Sequence, residues 1–215
     1  MRVVVRELEG RGRGLVATEL IAAGETVLAE PQPLCRAQLA QHLRELQEET
    51  ALLVQLGYVE FWPHAVKDRR IAATCHAAVE AAPAAFLELE DAFASADGEA
   101  GRFLTNNVVL PGSGECAVYV LYSRINHSCE PNVRVDLATD GALSVVALCD
   151  VQAGEEVLDN YLAEMMMHGK DADATVRQEM RRHLAERWRF ECACARCERE
   201  GPVPARSSTS RMWEG

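Results

Sequence analysis

The chain's absences narrow it first. No apolar run approaches the roughly 20 residues that a membrane-crossing helix needs, so no spanning segment is expected. Charge appears too early in Met1-Arg2-Val3-Val4-Val5-Arg6-Glu7 for a secretory leader, and an intracellular protein, cytoplasmic or nuclear, is expected. Positive charge is in deficit: 22 Lys and Arg face 33 Asp and Glu, for a net charge of -11. That balance argues against direct nucleic-acid binding, which needs cations on the phosphates. An acidic surface either keeps the chain soluble or draws a basic partner over distance. The loop Gly10-Arg11-Gly12-Arg13-Gly14 precedes a strand rather than a long helix, so it fits neither a dinucleotide fingerprint nor a phosphate-binding loop. Internal repeats are missing too.

The 215 residues suffice for one domain with a real core, or for a core with an inserted lobe. Short strands are expected at 2–5, 15–17 and Thr26 to Glu30. From Arg36 to Ala96 the texture turns to alanine, leucine and glutamate. Leu39, Leu43, Leu46, Leu53 and Leu56 mark one helical face, and further helices are predicted over about 64–81 and 83–94. Phe61-Trp62-Pro63 reads as a turn with buried aromatics, and Cys75-His76 as core packing. Strand texture returns at Asn107 to Leu110, Val118 to Leu121, Val133 to Leu137 and Leu143 to Leu148, the last two joined by an Asp140-Gly141 hairpin turn. Ala153-Gly154-Glu155-Glu156 reads as a solvated turn before Val157 to Tyr161. Met165, Met166 and Met167 read as loop packing. Thr175-Val176-Arg177-Gln178 has the form of a capping box, with Val176, Met180, Leu184 and Trp188 as the buried stripe of the helix that follows.

Two dense clusters carry the chemistry. Arg124-Ile125-Asn126-His127-Ser128-Cys129-Glu130-Pro131-Asn132 crowds amides, an imidazole, a hydroxyl and a thiol into one stretch, and buried polar groups need partners. Cys192-Ala193-Cys194-Ala195-Arg196-Cys197 is C-x-C-x-x-C. Eight cysteines in an intracellular chain point to metal or buried thiols before disulfides. A closed structural zinc site takes four ligands. The fourth comes from Cys35, Cys75, Cys116, Cys129, Cys149 or a histidine, and Cys129 is preferred because it already lies in the polar cluster.

The Arg124–Asn132 stretch, Gly154-Glu155-Glu156-Val157-Leu158-Asp159-Asn160-Tyr161 and the C-terminal cysteines resemble, in order and spacing, the N-H-S-C-x-P-N, G-E-E-x-x-x-x-Y and post-SET C-x-C-x-x-C motifs of SET-domain protein lysine methyltransferases. Gly10 to Leu15 is similar to their G-x-G loop. The helical insertion and Phe190-Glu191-Cys192 resemble the SMYD branch. That branch's MYND finger has no counterpart here, since Cys35 and Cys75 stand alone in the insertion.

The resemblance implies a mainly β fold with an α insertion (α+β): small curved sheets, a C-terminal pseudoknot and a post-SET zinc segment. Its parts would be 1–34 and 106–162 for the SET domain, 35–105 for the insertion, 163–201 for the post-SET helix and zinc segment, and 202–215 for a disordered tail. It implies S-adenosylmethionine as methyl donor, one structural zinc on Cys129, Cys192, Cys194 and Cys197, and a lysine-bearing basic protein segment, such as a histone tail, as substrate. Arg11, Gly12, Arg13 and Gly14 would line the donor's methionine end. Asn126 and His127 would hold its amino acid part and adenine, His127 mainly through its backbone. Asn106 or its neighbour Asn107 would assist, Phe190 would pack on the adenine, and backbone carbonyls around Ser123 would face the methyl group. Tyr161 would be the catalytic tyrosine, although a strand-end tyrosine also suits a core. Tyr119 and Tyr122 fit either the lysine channel or the core. A SET-like zinc module without turnover is the competing function.

Overall fold

The computed structural model describes residues 1–55, 65, 67–81, 98–162 and 174–201. Leu56, Phe61-Trp62-Pro63, the helix expected over 83–94, Met165 to Met167 and the 202–215 tail lie outside the described residues. Four small sheets organise the remainder. Strands β1 (Val3–Leu8) and β2 (Gly12–Ala17) form an antiparallel hairpin in which Leu8 faces Gly12. Gly10 and Gly12 take φ of 69° and 65° at its turn, a region that costs other residues a backbone clash.

The second sheet runs β3–β9–β8, from β3 (Thr26–Glu30), β8 (Val133–Leu137) and β9 (Leu143–Ala147). The Asp140-Gly141 turn closes the β8–β9 hairpin as the dipeptide predicts, with Gly141 at φ 91°. The third sheet, β4–β6–β5, is built from β4 (Cys35–Ala37), β5 (Asn107–Val109) and β6 (Cys116–Val118). The strand expected to continue to Leu121 stops at Val118 for a visible reason. The Glu30 carboxylate accepts the backbone N–H groups of Val120, Leu121 and Tyr122 at 2.9, 3.1 and 2.8 Å, which bends the chain into a 3-10 turn over Tyr122–Arg124.

Helices α1 (Ala40–Gln55), α2 (Arg69–Glu80) and α3 (Gly98–Asn106) lie between β4 and β5 in the chain. Asp68 caps α2, its Oδ1 accepting from Arg70 N and Ile71 N. The predicted leucine stripe holds at Leu39 and Leu46, but Leu53 is 42% exposed. Thr50 takes the buried face instead, its hydroxyl satisfied on the Leu46 carbonyl. These helices share a core with the β4–β6–β5 sheet, around Leu39, Ile71, Cys75, Phe103 and Val118. A separate core under the other sheets centres on Leu15, Ile21, Ile125, Leu143 and Val145. The three helices thus bury their apolar faces on the β4–β6–β5 sheet.

The last part of the chain contributes α4 (Ala174–Trp188) and α5 (Ala195–Glu200). Of the predicted α4 stripe, Met180 and Leu184 are buried and Val176 is 46% exposed. They form a third core with Leu162, Cys192 and Cys197, against which Cys129, Tyr161, Trp188 and Phe190 pack. Among the described residues, no helix is long and apolar enough to cross a membrane.

Candidate active site and metal centre

The loop that holds the site is laced from both sides. Strand β7 (Asn126–His127) pairs in parallel with β10 (Leu158–Asp159), in the register Leu158 to Asn126 and Asp159 to His127. Asn132 fixes the other end of the loop: its Oδ1 accepts Leu158 N–H at 2.7 Å and its Nδ2 donates to the Glu156 carbonyl at 2.8 Å. The buried Asn132 amide is therefore occupied in joining segments distant in sequence, as buried polar groups require.

The sulfur atoms of Cys129, Cys192, Cys194 and Cys197 lie within 4.8 Å of one another. Cys129 Sγ is 3.9 Å from Cys192 Sγ and 3.6 Å from Cys197 Sγ. Four thiolates at about 2.3 Å from a zinc ion would sit about 3.8 Å apart at the corners of a tetrahedron. Donor set and spacing both fit zinc. Charge fits as well. The thiol donated by Cys129 pushes Cys192 down, whereas that same bond and burial push Cys129 up, and burial raises Cys197 to about 12. Without a cation the sulfurs cannot all carry charge at this separation; a bound zinc would supply the missing positive charge. The other candidate ligands lie elsewhere. Cys35, Cys75 and Cys116 belong to the core shared by the three helices and the β4–β6–β5 sheet, where burial pushes their thiols to about 11, 12 and 11. Cys149 is exposed.

Next to the sulfurs stands a group of rings. Tyr161 is 5.0 Å from Trp188, 5.3 Å from His127 and 6.5 Å, edge-on, from Phe190, measured between ring centroids. The chain reaches Phe190 through Arg189, whose φ of 59° ends α4 in a left-handed turn. Trp188 Nε1 donates to the Thr105 carbonyl at 2.9 Å, which fixes the ring. Tyr161 Oη donates to the Ile125 carbonyl at 2.6 Å. Burial raises its pKa, so the hydroxyl stays protonated at neutral pH. Behind it, Tyr122 Oη donates to Asp159 Oδ2 at 2.8 Å, and burial raises both groups.

On the opposite side of Asn126 lies the glycine-rich loop. Arg11 bridges Glu156 at 3.1 Å and donates to the His127 carbonyl at 3.1 Å. Asn126 Nδ2 donates to Glu156 Oε1 at 2.8 Å. A Cβ at Gly14 would fall 2.5 Å from Leu8 Cδ1, 2.7 Å from Glu156 Oε1 and 2.8 Å from Asn126 Nδ2, so these side-chain ends would have to shift to admit one. This explains a glycine at Gly14 by close approach, where its neighbours Gly10 and Gly12 serve the turn.

Residues 12–162 match the family described as SET domain. The chain belongs to the SET-domain family. Among curated relatives, the histone-lysine N-methyltransferase SET5 of Candida glabrata is 36% identical over 110 residues, covering 51% of this chain and 18% of that protein. The protein-lysine N-trimethyltransferase SMYD5 of Mus musculus is 31% identical over 119 residues, covering 54% of this chain and 25% of that protein. The chain thus spans about a fifth to a quarter of the length of these relatives. A solved structure of ctPRC2 in an autoinhibited conformation, bound to S-adenosylmethionine, aligns at a TM-score of 0.40 and 17% identity, covering 85% of this chain and 17% of that one.

Within this SET domain some of the anticipated residues come together and others do not. Arg11, Gly14, Asn126, His127 and Tyr161 converge, and Phe190 packs on His127 at 6.0 Å. Arg13 instead pairs with Glu7 across the hairpin at 2.9 Å. Asn106 and Asn107 both turn their amides back onto helix α3, on the carbonyls of Arg102 for one and of Phe103 and Leu104 for the other. Ser123 lies in the 3-10 turn, its hydroxyl on the Val120 carbonyl. Tyr119 is fully buried, with its hydroxyl on the Gly141 carbonyl. Three participants escaped the reading of the sequence: Glu156, Trp188 as a partner of Tyr161, and Glu30 beneath the turn. Glu155 alone behaves as a turn residue, accepting the Gln152 N–H.

Proposed function

We propose that this chain transfers a methyl group from S-adenosylmethionine to a lysine side chain of a protein, a histone among the substrates. The observation that carries the reading is the Tyr161 hydroxyl, held on the Ile125 carbonyl at 2.6 Å inside the ring group and beside the four-sulfur cluster. Names of the relatives support it, since SET5 and SMYD5 are both lysine methyltransferases. The segment 35–105 is an insertion in this reading and 163–201 the post-SET part, with Cys129, Cys192, Cys194 and Cys197 on one zinc. Action in the cytoplasm or nucleus follows from the same reading.

Bound S-adenosylmethionine supplies an electrophilic methyl on a sulfonium. The chain's own residues then have to present a neutral amine to it. Lysine has a reference pKa of about 10.4, so neutralising it at pH 7 costs about 4.6 kcal/mol in water. A buried, apolar surround lowers that cost by penalising the ammonium. Tyr161 is itself kept protonated by burial, so it is not the base. Its hydrogen is committed to Ile125 O, which leaves the oxygen lone pairs to orient an incoming N–H. Positioning is what these residues supply. Arg11, Gly14, Asn126 and the His127 backbone hold the donor, with Phe190 against its adenine.

The test is incubation of the chain with labelled S-adenosylmethionine and a histone mixture, followed by mass spectrometry of the labelled band. Label on lysine, lost in Tyr161→Phe, is expected. A chain with no calorimetric affinity for S-adenosylmethionine would instead be a zinc-containing SET-like interaction module.

A further inference from the structure

Glu30 ends strand β3 and makes an arrangement that a strand end does not need. One carboxylate oxygen accepts the N–H of Val120 at 2.9 Å, and the other accepts those of Leu121 and Tyr122 at 3.1 and 2.8 Å. Successive backbone N–H groups turned toward one point form a concave seat for an anion, and here the chain fills that seat with its own carboxylate. A carboxylate suits the seat because both oxygens accept and neither donates, and its charge strengthens each bond. A turn that only had to redirect the chain could leave these donors to water.

The seated turn leads to Tyr161 by two routes. The first runs along the backbone. Arg124 N–H closes on the Leu121 carbonyl at 3.0 Å and Ile125 N–H on the Tyr122 carbonyl at 2.9 Å, so the residues that Glu30 grips set the peptide that follows them. The carbonyl of Ile125 is the one that accepts the Tyr161 hydroxyl at 2.6 Å. The second route runs through a side chain: Tyr122 Oη donates to Asp159 Oδ2 at 2.8 Å, and Asp159 ends β10, just ahead of Tyr161. One carboxylate therefore fixes the acceptor of the Tyr161 hydroxyl and braces the strand that delivers its ring. We infer that Glu30 is a positioning residue for methyl transfer, which holds the Ile125 carbonyl, and with it the Tyr161 hydroxyl, in place for the incoming amine. Its oxygens face backbone N–H groups, so it acts on the reaction only through Tyr161. Displacing a reacting group by about 1 Å costs about 100-fold in rate, which gives a distant brace its leverage. This inference rests on the methyl-transfer reading and extends it to a residue that the reading itself does not call on.

Steady-state kinetics with labelled S-adenosylmethionine and a histone mixture, together with calorimetry of S-adenosylhomocysteine, test it on the full chain. Glu30→Gln keeps the size of the side chain but turns an amide NH2 toward a backbone N–H, which loosens the seat. Its kcat is expected to fall by about 10- to 100-fold while S-adenosylhomocysteine affinity stays within about twofold. Added to Tyr161→Phe, the same substitution should lower kcat by less than about twofold, because the hydroxyl it serves is already gone. A residue that only stabilised the fold would lower kcat by the same factor in both backgrounds. Glu30→Asp keeps the charge but stops one carbon short, and a smaller loss of kcat is expected; if Glu30→Gln does not fold, the same two comparisons made with Glu30→Asp decide the matter. An unchanged kcat, or equal losses with and without the Tyr161 hydroxyl, would overturn the assignment and leave the methyl-transfer reading intact. A wild-type chain that neither labels lysine nor binds S-adenosylhomocysteine overturns both.

Discussion

The imidazole of His127 joins Tyr161 to the sulfur cluster: Tyr161 N–H donates to Nδ1 at 3.2 Å, and Nε2 lies 3.4 Å from Cys129 Sγ. Because Nδ1 accepts, the ring hydrogen sits on Nε2 and points at the sulfur, which is the donor that a metal-bound thiolate prefers. His127→Phe keeps the ring stacking but removes both bonds. Its expected result is zinc affinity lower by about 10- to 100-fold, the usual cost of an outer-shell partner, read by competition with a chromogenic chelator.

Zinc and donor binding should fail together. Cys129 closes the cluster from the same loop that carries Asn126 and His127. Elemental analysis is expected to find about one zinc per chain, consistent with four thiolate ligands in one site. Cys129→Ala should lose the metal and, with it, measurable affinity for S-adenosylhomocysteine. Retention of either one alone would show two independent sites.

Tyr161→Phe removes only the oxygen that donates to Ile125. Donor affinity should change less than about threefold while kcat falls by about 100-fold, the scale on which misplacing a reacting group is felt. An unchanged kcat would remove Tyr161 from the reaction.

Asp159 makes a prediction about pH. Burial raises its carboxyl above the ordinary value even though Tyr122 donates to it. A raised folded-state pKa stabilises the fold below the unfolded pKa of about 3.9, and that contribution is lost as pH rises through the folded value. Asp159→Asn keeps an oxygen for Tyr122 without the charge. Its melting temperature at pH 7.5 should therefore exceed wild type, with the advantage shrinking toward pH 4; a uniform drop at both pH values would contradict the burial argument.

Local chemistry made part of this architecture legible. Asp140-Gly141 specified its hairpin, and Cys129 stood out because it lies in the polar cluster while the thiols of Cys192, Cys194 and Cys197 need a fourth ligand to close a zinc cage. Glu156 and Glu30 were hidden for the opposite reason. A glutamate beside a Gly turn looks solvated until the fold brings Arg11 to it, and nothing near Glu30 in sequence announces three backbone donors from Val120 to Tyr122. Helix α3 (Gly98–Asn106) was missed because it lies past Ala96, where the alanine, leucine and glutamate texture that marked the other helices ends. The exposed Val176 shows that four-residue spacing places a residue on a stripe, while burial depends on whether anything is packed over its end.

The wide separation of Cys129 from Cys192, Cys194 and Cys197 has a consequence for biosynthesis. A nascent chain halted after Trp188 already contains the glycine-rich loop, Asn126 and Tyr161, yet one sulfur stands alone and Phe190 is missing. The four sulfurs can come together only once Cys197 has left the ribosome. Phe190, the last ring placed around Tyr161, and three of the four sulfurs are therefore made one after another, long after the loop on which they pack.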